Sequence, residues 1–187
     1  MQTGTTREKI IGLAREIMQQ IGYHSFAYKQ IAEQIGIKNS SIHHYFPSKV
    51  DLGLAVIEKD RGEFEALIRK LAGSSPKEKV EALLDAYTET FKNDRKLCIL
   101  GTFGMAYNDV DKKIQEATRS YLDLIIQWLS VTFKEGLRTG EFSFNRSPQQ
   151  VAADWAAALP GSLAIGRMQG EVYFKQIINS LRKSLQG

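Results

Sequence analysis

Apolar residues recur every three to four positions along almost the whole chain, and that period restricts the fold more than any other feature. Near the start, Ile10, Leu13, Ala14, Ile17, Met18 and Ile21 fall at offsets 0, 3, 4, 7, 8 and 11, one stripe of a helix. Arg7, Glu8, Arg15, Glu16 and Gln19 occupy the opposite side, and Gly22 is the expected stop. No strand-like alternation persists long enough to compete, and no internal repeat is visible. The expectation is an all-α fold of about nine helices.

Turn and cap residues divide this pattern. A short helix is expected from Tyr28 to Gln34, a turn at Gly36, and a second short helix from Asn39 to Tyr45. Pro47 is expected just inside the fourth helix, which carries Leu52, Leu54, Ala55 and Val56. Residues 58–71 either extend that helix or form a separate one, before GSSP at 73–76 interrupts. Ser75, Pro76 and Glu78 then supply a cap, a proline at the first helical position and an acid three after the cap. Val80, Leu83, Leu84, Tyr87 and Phe91 form the stripe of the helix that follows.

The apolar, glycine-containing segment LCILGTFGMAYNDV reads as a buried, broken helix. A long amphipathic helix follows over residues 112–137, through Ile114, Tyr121, Leu124, Ile125, Trp128, Leu129 and Phe133. After the loop RTGEFSFNRSP, Ser147, Pro148 and Gln150 repeat the capping arrangement. Two last helices, over 148–168 and 171–185, meet near Gly170.

Charge is unevenly placed. Residues 1–50 hold six Lys/Arg against three Asp/Glu, whereas the remainder holds nineteen against eighteen. A small basic module at residues 1–50, joined to a nearly neutral body at 51–187, suits a nucleic-acid reader attached to a domain with another task. With 43% hydrophobic residues among 187, the chain has material for a substantial core. Its one cysteine, Cys98, rules out an intrachain disulfide and leaves no CxxC pair. The start lacks the long apolar core of a signal peptide, and no stretch approaches about 18 uninterrupted apolar residues. A cytoplasmic protein with no membrane partner is expected.

Two short helices around Gly36 have the spacing of a helix-turn-helix. Ala32 is small where helices cross, Gly36 can take a left-handed turn, and Ile42 anchors the second helix. Ile31, Ile35 and Ile37 are expected to face inward with it. Lys38, Asn39, Ser40, Ser41, His43 and His44 then point outward. This set offers donors and acceptors on a helix without a carboxylate, as a major groove requires; the competing reading is a solvated helix packing against a protein.

The adjacent histidines lack the i,i+4 or i,i+3 spacing of a metal pair, and His24 is the only other histidine. No metal or cofactor is expected. One imidazole can contact a phosphate or a base edge while the other helps to pack the module. Tyr45 can place its hydroxyl on a phosphate while Phe46 buries with Phe26. Lys49 can add its ammonium to the amide N–H groups of the next helix. Tyr28 either reaches the opposite DNA backbone or packs.

With these residues assembled, the run IGYHSFAYKQIAEQIGIKNSSIHHYFPSKVDLGLAVI, residues 21–57, resembles the TetR family of bacterial transcriptional regulators. The likeness is carried by Gly22-Tyr23, Ile31-Ala32, Gly36-Ile37, Tyr45-Phe46, Ser48-Lys49 and Leu52, and later by EGLRTGEF before the last two helices. Two departures stand out. Tyr28 lies where members often carry Thr or Ser, and His43 replaces a tyrosine usually associated with DNA contact.

The resemblance implies a homodimer whose final two helices pair with their mates in a four-helix bundle. It implies N-terminal modules entering successive major grooves of a palindromic operator. It also implies a small effector that binds the larger domain, changes the spacing of the modules and releases DNA. Most members are repressors.

The body offers residues for both tasks. Val151, Ala152, Trp155, Ala156 and Leu159 on one helix, with Val172, Tyr173, Ile177, Ile178, Leu181 and Leu185 on the next, are candidates for the dimer interface or for the chain's own core. Tyr87, Phe91, Phe103, Met105, Tyr107, Tyr121, Trp128, Trp155 and Met168 are candidates to enclose an apolar or aromatic effector. Cys98, following Lys96, is either a sensing thiol or an inert one among apolar neighbours. No GxGxxG, GxSxG, HExxH or Walker-type run occurs, so an enzyme is not expected. The reading is a sequence-specific DNA-binding regulator, a repressor released by a small effector. The alternative is a ligand-independent or architectural DNA-binding protein, which should lean harder on Lys and Arg.

Overall fold

The computed structural model describes residues 4–186. Among the described residues there are nine α-helices and no strand: α1 Thr6–Ile21, α2 Tyr28–Ile35, α3 Asn39–Tyr45, α4 Lys49–Lys70, α5 Pro76–Lys92, α6 Ile99–Met105, α7 Lys112–Thr139, α8 Pro148–Gln169 and α9 Glu171–Lys183. A 3-10 turn, Tyr107–Asp109, follows α6. The all-α fold expected from the period is the one observed.

Capping accounts for several of the boundaries. Ser75 Oγ accepts from the Glu78 N–H while Glu78 accepts from the Ser75 N–H at 2.7 Å, with Pro76 at the first helical position. Ser147 and Gln150 repeat this at α8, again with a proline at the start. Each such box satisfies two backbone donors that the helix itself cannot. At the fourth helix the expected position of Pro47 moves: α4 begins at Lys49, and Ser48 with Asp51 forms its cap. Residues 58–70 continue α4 without a break. Pro160 lies inside α8, and the helix runs on through a residue with no N–H to donate.

The helices pack into two compact units. One comprises the described residues to Phe64 together with Ile99–Arg119; the other comprises Glu65–Cys98 and the described residues from Ser120 onward. The division expected after residue 50 rests on charge and motif; packing assigns the first part of α4 and all of α6 to the unit that holds the helix-turn-helix.

In the first unit Ile10, Ala14, Met18, Phe26, Ile31, Ile42, Phe46, Leu52 and Phe103 form the core. Arg15 of α1 binds Asp60 of α4 at 2.5 Å and also reaches Glu63 at 3.6 Å. In the second unit the Trp155 ring meets Phe133 edge-on at 5.2 Å, and Phe91 stacks on Phe174 at 4.2 Å. The EGLRTGEF turn has a packing reason. A Cβ on Gly136 would lie 2.0 Å from Phe142, whose buried ring closes the turn against Phe133. No helix among the described residues is long and apolar enough to cross a membrane.

Candidate nucleic-acid interface

The exposed face is built by two anchors and one turn. Gly36 ends α2 in the left-handed region, φ 70° and ψ 34°, and the Ile37 N–H returns to the Ala32 carbonyl at 3.1 Å. A side chain there would be strained, so glycine permits the tight turn into α3. Ile42 is fully buried, and Phe46, four residues on, is buried at the cap of α3. At 3.6 residues per turn these two hold one side of α3 inward and commit the other side outward.

Lys38, Asn39, Ser40, His43, His44 and Tyr45 are exposed accordingly, while Ser41 is half-buried. Ile35 and Ile37, expected inward, are half-buried at the turn. The face carries no carboxylate, so nothing on α3 repels phosphate. Its six exposed residues supply an ammonium, an amide, hydroxyls and imidazoles, the groups that pair with base edges and backbone oxygens. The His44 ring lies edge-on to Tyr45, with centroids 5.6 Å apart.

Three residues around α3 stand differently from the reading of the sequence. Tyr28 is only 6% exposed, and its hydroxyl points at the Phe46 carbonyl (3.0 Å) and the Ser48 carbonyl (2.5 Å). Its proton is used inside the unit, so the phosphate role gives way to a structural one. Burial, with the Asp51 carboxylate and Tyr23 nearby, pushes this hydroxyl up to about 12, which keeps it a donor.

Lys49 is exposed, but its Nζ donates to the His24 carbonyl at 3.3 Å and lies 4.7 Å from the Phe26 ring centroid. The start of α4 beside it is capped by the chain's own Asp51. That carboxylate accepts from Ser48 N–H at 2.9 Å and from Ser48 Oγ at 2.7 Å. Arg7, which the sequence pattern did not single out, holds its guanidinium 5.2 Å from the Phe46 ring centroid and adds a cation beside the end of α3. Among the described residues no group of three or more His, Cys, Asp or Glu side chains is placed to hold a metal.

Residues 10–56, which span this helix-turn-helix, match the profile of the bacterial regulatory proteins, tetR family. A TetR transcriptional regulator of known crystal structure from Legionella pneumophila is 30% identical over the full length of both chains, with a TM-score of 0.88. The chain belongs to the TetR family. A TetR-family regulator from Agrobacterium tumefaciens shares the fold at a TM-score of 0.90, with 24% identity and 97% of each chain covered. The fatty acid metabolism regulator protein of Bacillus subtilis (strain 168) is 27% identical over 139 residues, 71% of this chain and 69% of that protein. This TetR chain is therefore a transcriptional regulator with an N-terminal helix-turn-helix DNA-binding domain.

The aromatic and methionine set expected around an effector divides between the two units. Phe103, Met105 and Tyr107 belong to the first unit, where Phe103 is core against Tyr23 and Met105 is 80% exposed. Tyr107 is half-buried and its hydroxyl accepts from Arg119 at 2.7 Å. In the second unit Phe91, Tyr121 and Trp155 are buried, and the Trp155 Nε1–H donates to Ser184 Oγ at 3.2 Å. Met168 is 73% exposed, while Tyr87 and Trp128 are half-buried. Cys98 is half-buried, its sulfur 4.0 Å from the Tyr87 hydroxyl. A cavity of about 290 Å³ in the second unit is lined by a different group, which sets the charged Lys77, Glu81, Glu141 and Arg182 beside the apolar Val80, Phe142 and Leu185.

The dimer candidates also divide. Val151, Ala152, Trp155, Leu159, Ile178, Leu181 and Leu185 are buried in the second unit's own core. A face already covered by its own chain has nothing left to offer a second copy. Ala156 and Ile177 are half-buried, and only Val172 and Tyr173 are exposed. The apolar residues that α8 exposes are instead Ala153, Ala157, Ile165 and Met168, with half-buried Gly161 and Ala164 between them and Asp154 exposed beside Ala153.

Proposed function

We propose that this TetR-family chain is a repressor that binds a near-palindromic operator in duplex DNA as a homodimer and is released by a small, mainly apolar or aromatic effector. The observation that carries the reading is the outward face of α3, polar, free of carboxylates and held by Ile42 and Phe46. Residues 1–50 are the DNA-binding part and 51–187 the effector-binding and dimerising part. Asn39, Ser40, His43 and His44 meet base edges, while Lys38, Tyr45 and Lys49 add contacts to the backbone, with Ser41 at the margin.

One short recognition helix reads too few base pairs to select a site. Two copies on a two-fold axis, about 34 Å apart, read a palindrome. The exposed Ala153, Ala157, Ile165, Met168, Val172 and Tyr173 support self-association through the last two helices, since small side chains let helices approach closely. The half-buried Tyr87 and Trp128 of the second unit are the aromatic groups best able to meet an effector. The name of the Bacillus subtilis relative, a fatty acid metabolism regulator protein, adds support for an apolar guest. A regulator of cytoplasmic DNA needs no membrane partner, cofactor or catalytic group.

The test is a footprint of the dimer on the DNA upstream of its own gene. The reading expects two protected half-sites about one helical turn apart, lost when an apolar effector from a compound screen is added. A single protected site, or uniform protection along the fragment, would remove the palindrome and the dimer from the account.

A further inference from the structure

One side chain of α2 controls both the corner after α3 and the most unusual residue on the exposed face. The Tyr28 hydroxyl faces the carbonyls of Phe46 and Ser48, at 3.0 and 2.5 Å. The carbonyl between them, that of Pro47, lies 3.5 Å from Nδ1 of His43. The Tyr28 ring also rests against the His43 imidazole, with centroids 4.7 Å apart and planes at 58°. Tyr28 thus holds the 46–48 segment by its oxygen and the imidazole by its ring.

This arrangement has a consequence for hydrogen bonding. A carbonyl oxygen can only accept, so it is complementary to a protonated Nδ1 and repels a bare lone pair. The Tyr28 hydroxyl remains protonated and aimed at carbonyls, so it does not compete for the imidazole. With the proton on Nδ1, a neutral imidazole carries its lone pair on Nε2. We propose that Tyr28 and the 46–48 corner hold His43 as the Nδ1–H tautomer, so that α3 presents an acceptor to the major groove and selects a base bearing an exocyclic amino group, adenine or cytosine.

The alternatives at that position are disfavoured by the same chemistry. Guanine shows N7 and O6 there and thymine O4, all acceptors facing an acceptor. A phosphate oxygen is likewise an acceptor, which turns His43 away from the backbone and toward a base edge. His43 becomes a specificity-determining residue and Tyr28 its positioning residue. The inference rests on the proposal that the outward face of α3 reads DNA, but the tautomer can be measured without DNA.

The first experiment is nitrogen-15 NMR of the imidazoles in the free full-length protein, in buffer at and above neutral pH. The chain has three histidines, and loss of one set of signals in His43→Gln assigns His43. A protonated Nδ1 with a bare Nε2 is expected; the opposite tautomer or a doubly protonated ring overturns the inference. The second is selection of binding sites from random duplexes by wild type, His43→Lys and Tyr28→Phe. Wild type should favour adenine or cytosine at one position by about tenfold or more over guanine and thymine. His43→Lys, a donor only, should move that preference to guanine or thymine. Tyr28→Phe keeps the ring but frees the corner, so it should flatten the preference. Sites selected with no position that responds to His43→Lys would sink the inference and leave the regulator standing. No selected sequence at all would sink the reading beneath it.

Discussion

Helices α3 and α8 meet opposite demands. α3 has seven residues and, with its cap, two deeply buried anchors, Ile42 and Phe46; everything else it shows is polar. α8 has 22 residues and turns Val151, Ala152, Trp155, Leu159 and Leu163 into its unit, while its outward side carries the apolar Ala153, Ala157, Ile165 and Met168 beside Asp154 and glutamines near its ends. A short helix held at two points keeps its outer face for hydrogen bonding, where each donor and acceptor carries information. A long helix buried along one side has a second side that can hold a partner by close approach. Exposed polarity suits a surface that reads, and exposed small apolar residues suit a surface that pairs.

The sharpest way to break this comparison is to remove an anchor. Phe46→Ala should cost about 3–5 kcal/mol and lower the unfolding midpoint, with DNA binding lost as α3 loosens. If stability barely changed, α3 would not be held as described. In the second unit, Gly136→Ala forces a Cβ to within 2.0 Å of the present Phe142 ring position. It should cost about 1–3 kcal/mol in thermal or denaturant unfolding, because the ring is itself buried.

Ala157→Glu alters the outward face of α8 without touching the core. The expected outcome is a folded protein, within about 0.5 kcal/mol of wild type per monomer, that sediments as a monomer and binds operator weakly. An unchanged dimer would move the pairing surface elsewhere. Lys49→Ala should have the smallest effect, a uniform weakening on all sequences with the salt slope reduced by about one. Its ammonium is partly engaged by the His24 carbonyl, which limits the loss.

A pH prediction follows from Tyr28, whose hydroxyl is raised from 10.0 to about 12 in the folded chain. Over that interval the folded state retains a proton that the unfolded state has released, so the hydroxyl's contribution is full below pH 10 and is lost as pH rises toward 12. Tyr28→Phe should show a shallower fall in stability across the same window.

Much of the first unit was legible in the sequence because its signals are local. The bounds of α3, the turn at Gly36 and the burial of Ile42 all follow from residues within a few positions of each other. Capping by Ser75 and Ser147 was legible for the same reason. Tyr28 was not, since its partners are backbone carbonyls 18 and 20 residues away, and backbone oxygen leaves no mark on a pattern of side chains. The Arg7–Phe46 contact is hidden likewise.

In the body, periodicity identified the apolar stripe of α8 but not what covers it. An apolar stripe reports only that something does, and the chain's own core takes it first. The apolar residues left on the outward side of α8 are few and weakly patterned, so they attract no notice. Phe91, Phe103, Tyr121 and Trp155 of the effector set are buried in the cores of their units for a related reason: aromatic residues fill cores as readily as they line cavities.

The central claim is that the outward face of α3, presented in two copies, distinguishes one DNA sequence from another. Competition binding at physiological salt, between the upstream operator fragment and a scrambled duplex of equal length and composition, tests it most directly. The account predicts that the operator is preferred by at least about a thousandfold, and that Asn39→Ala changes the preferred sequence. Equal affinity for the two duplexes would contradict it.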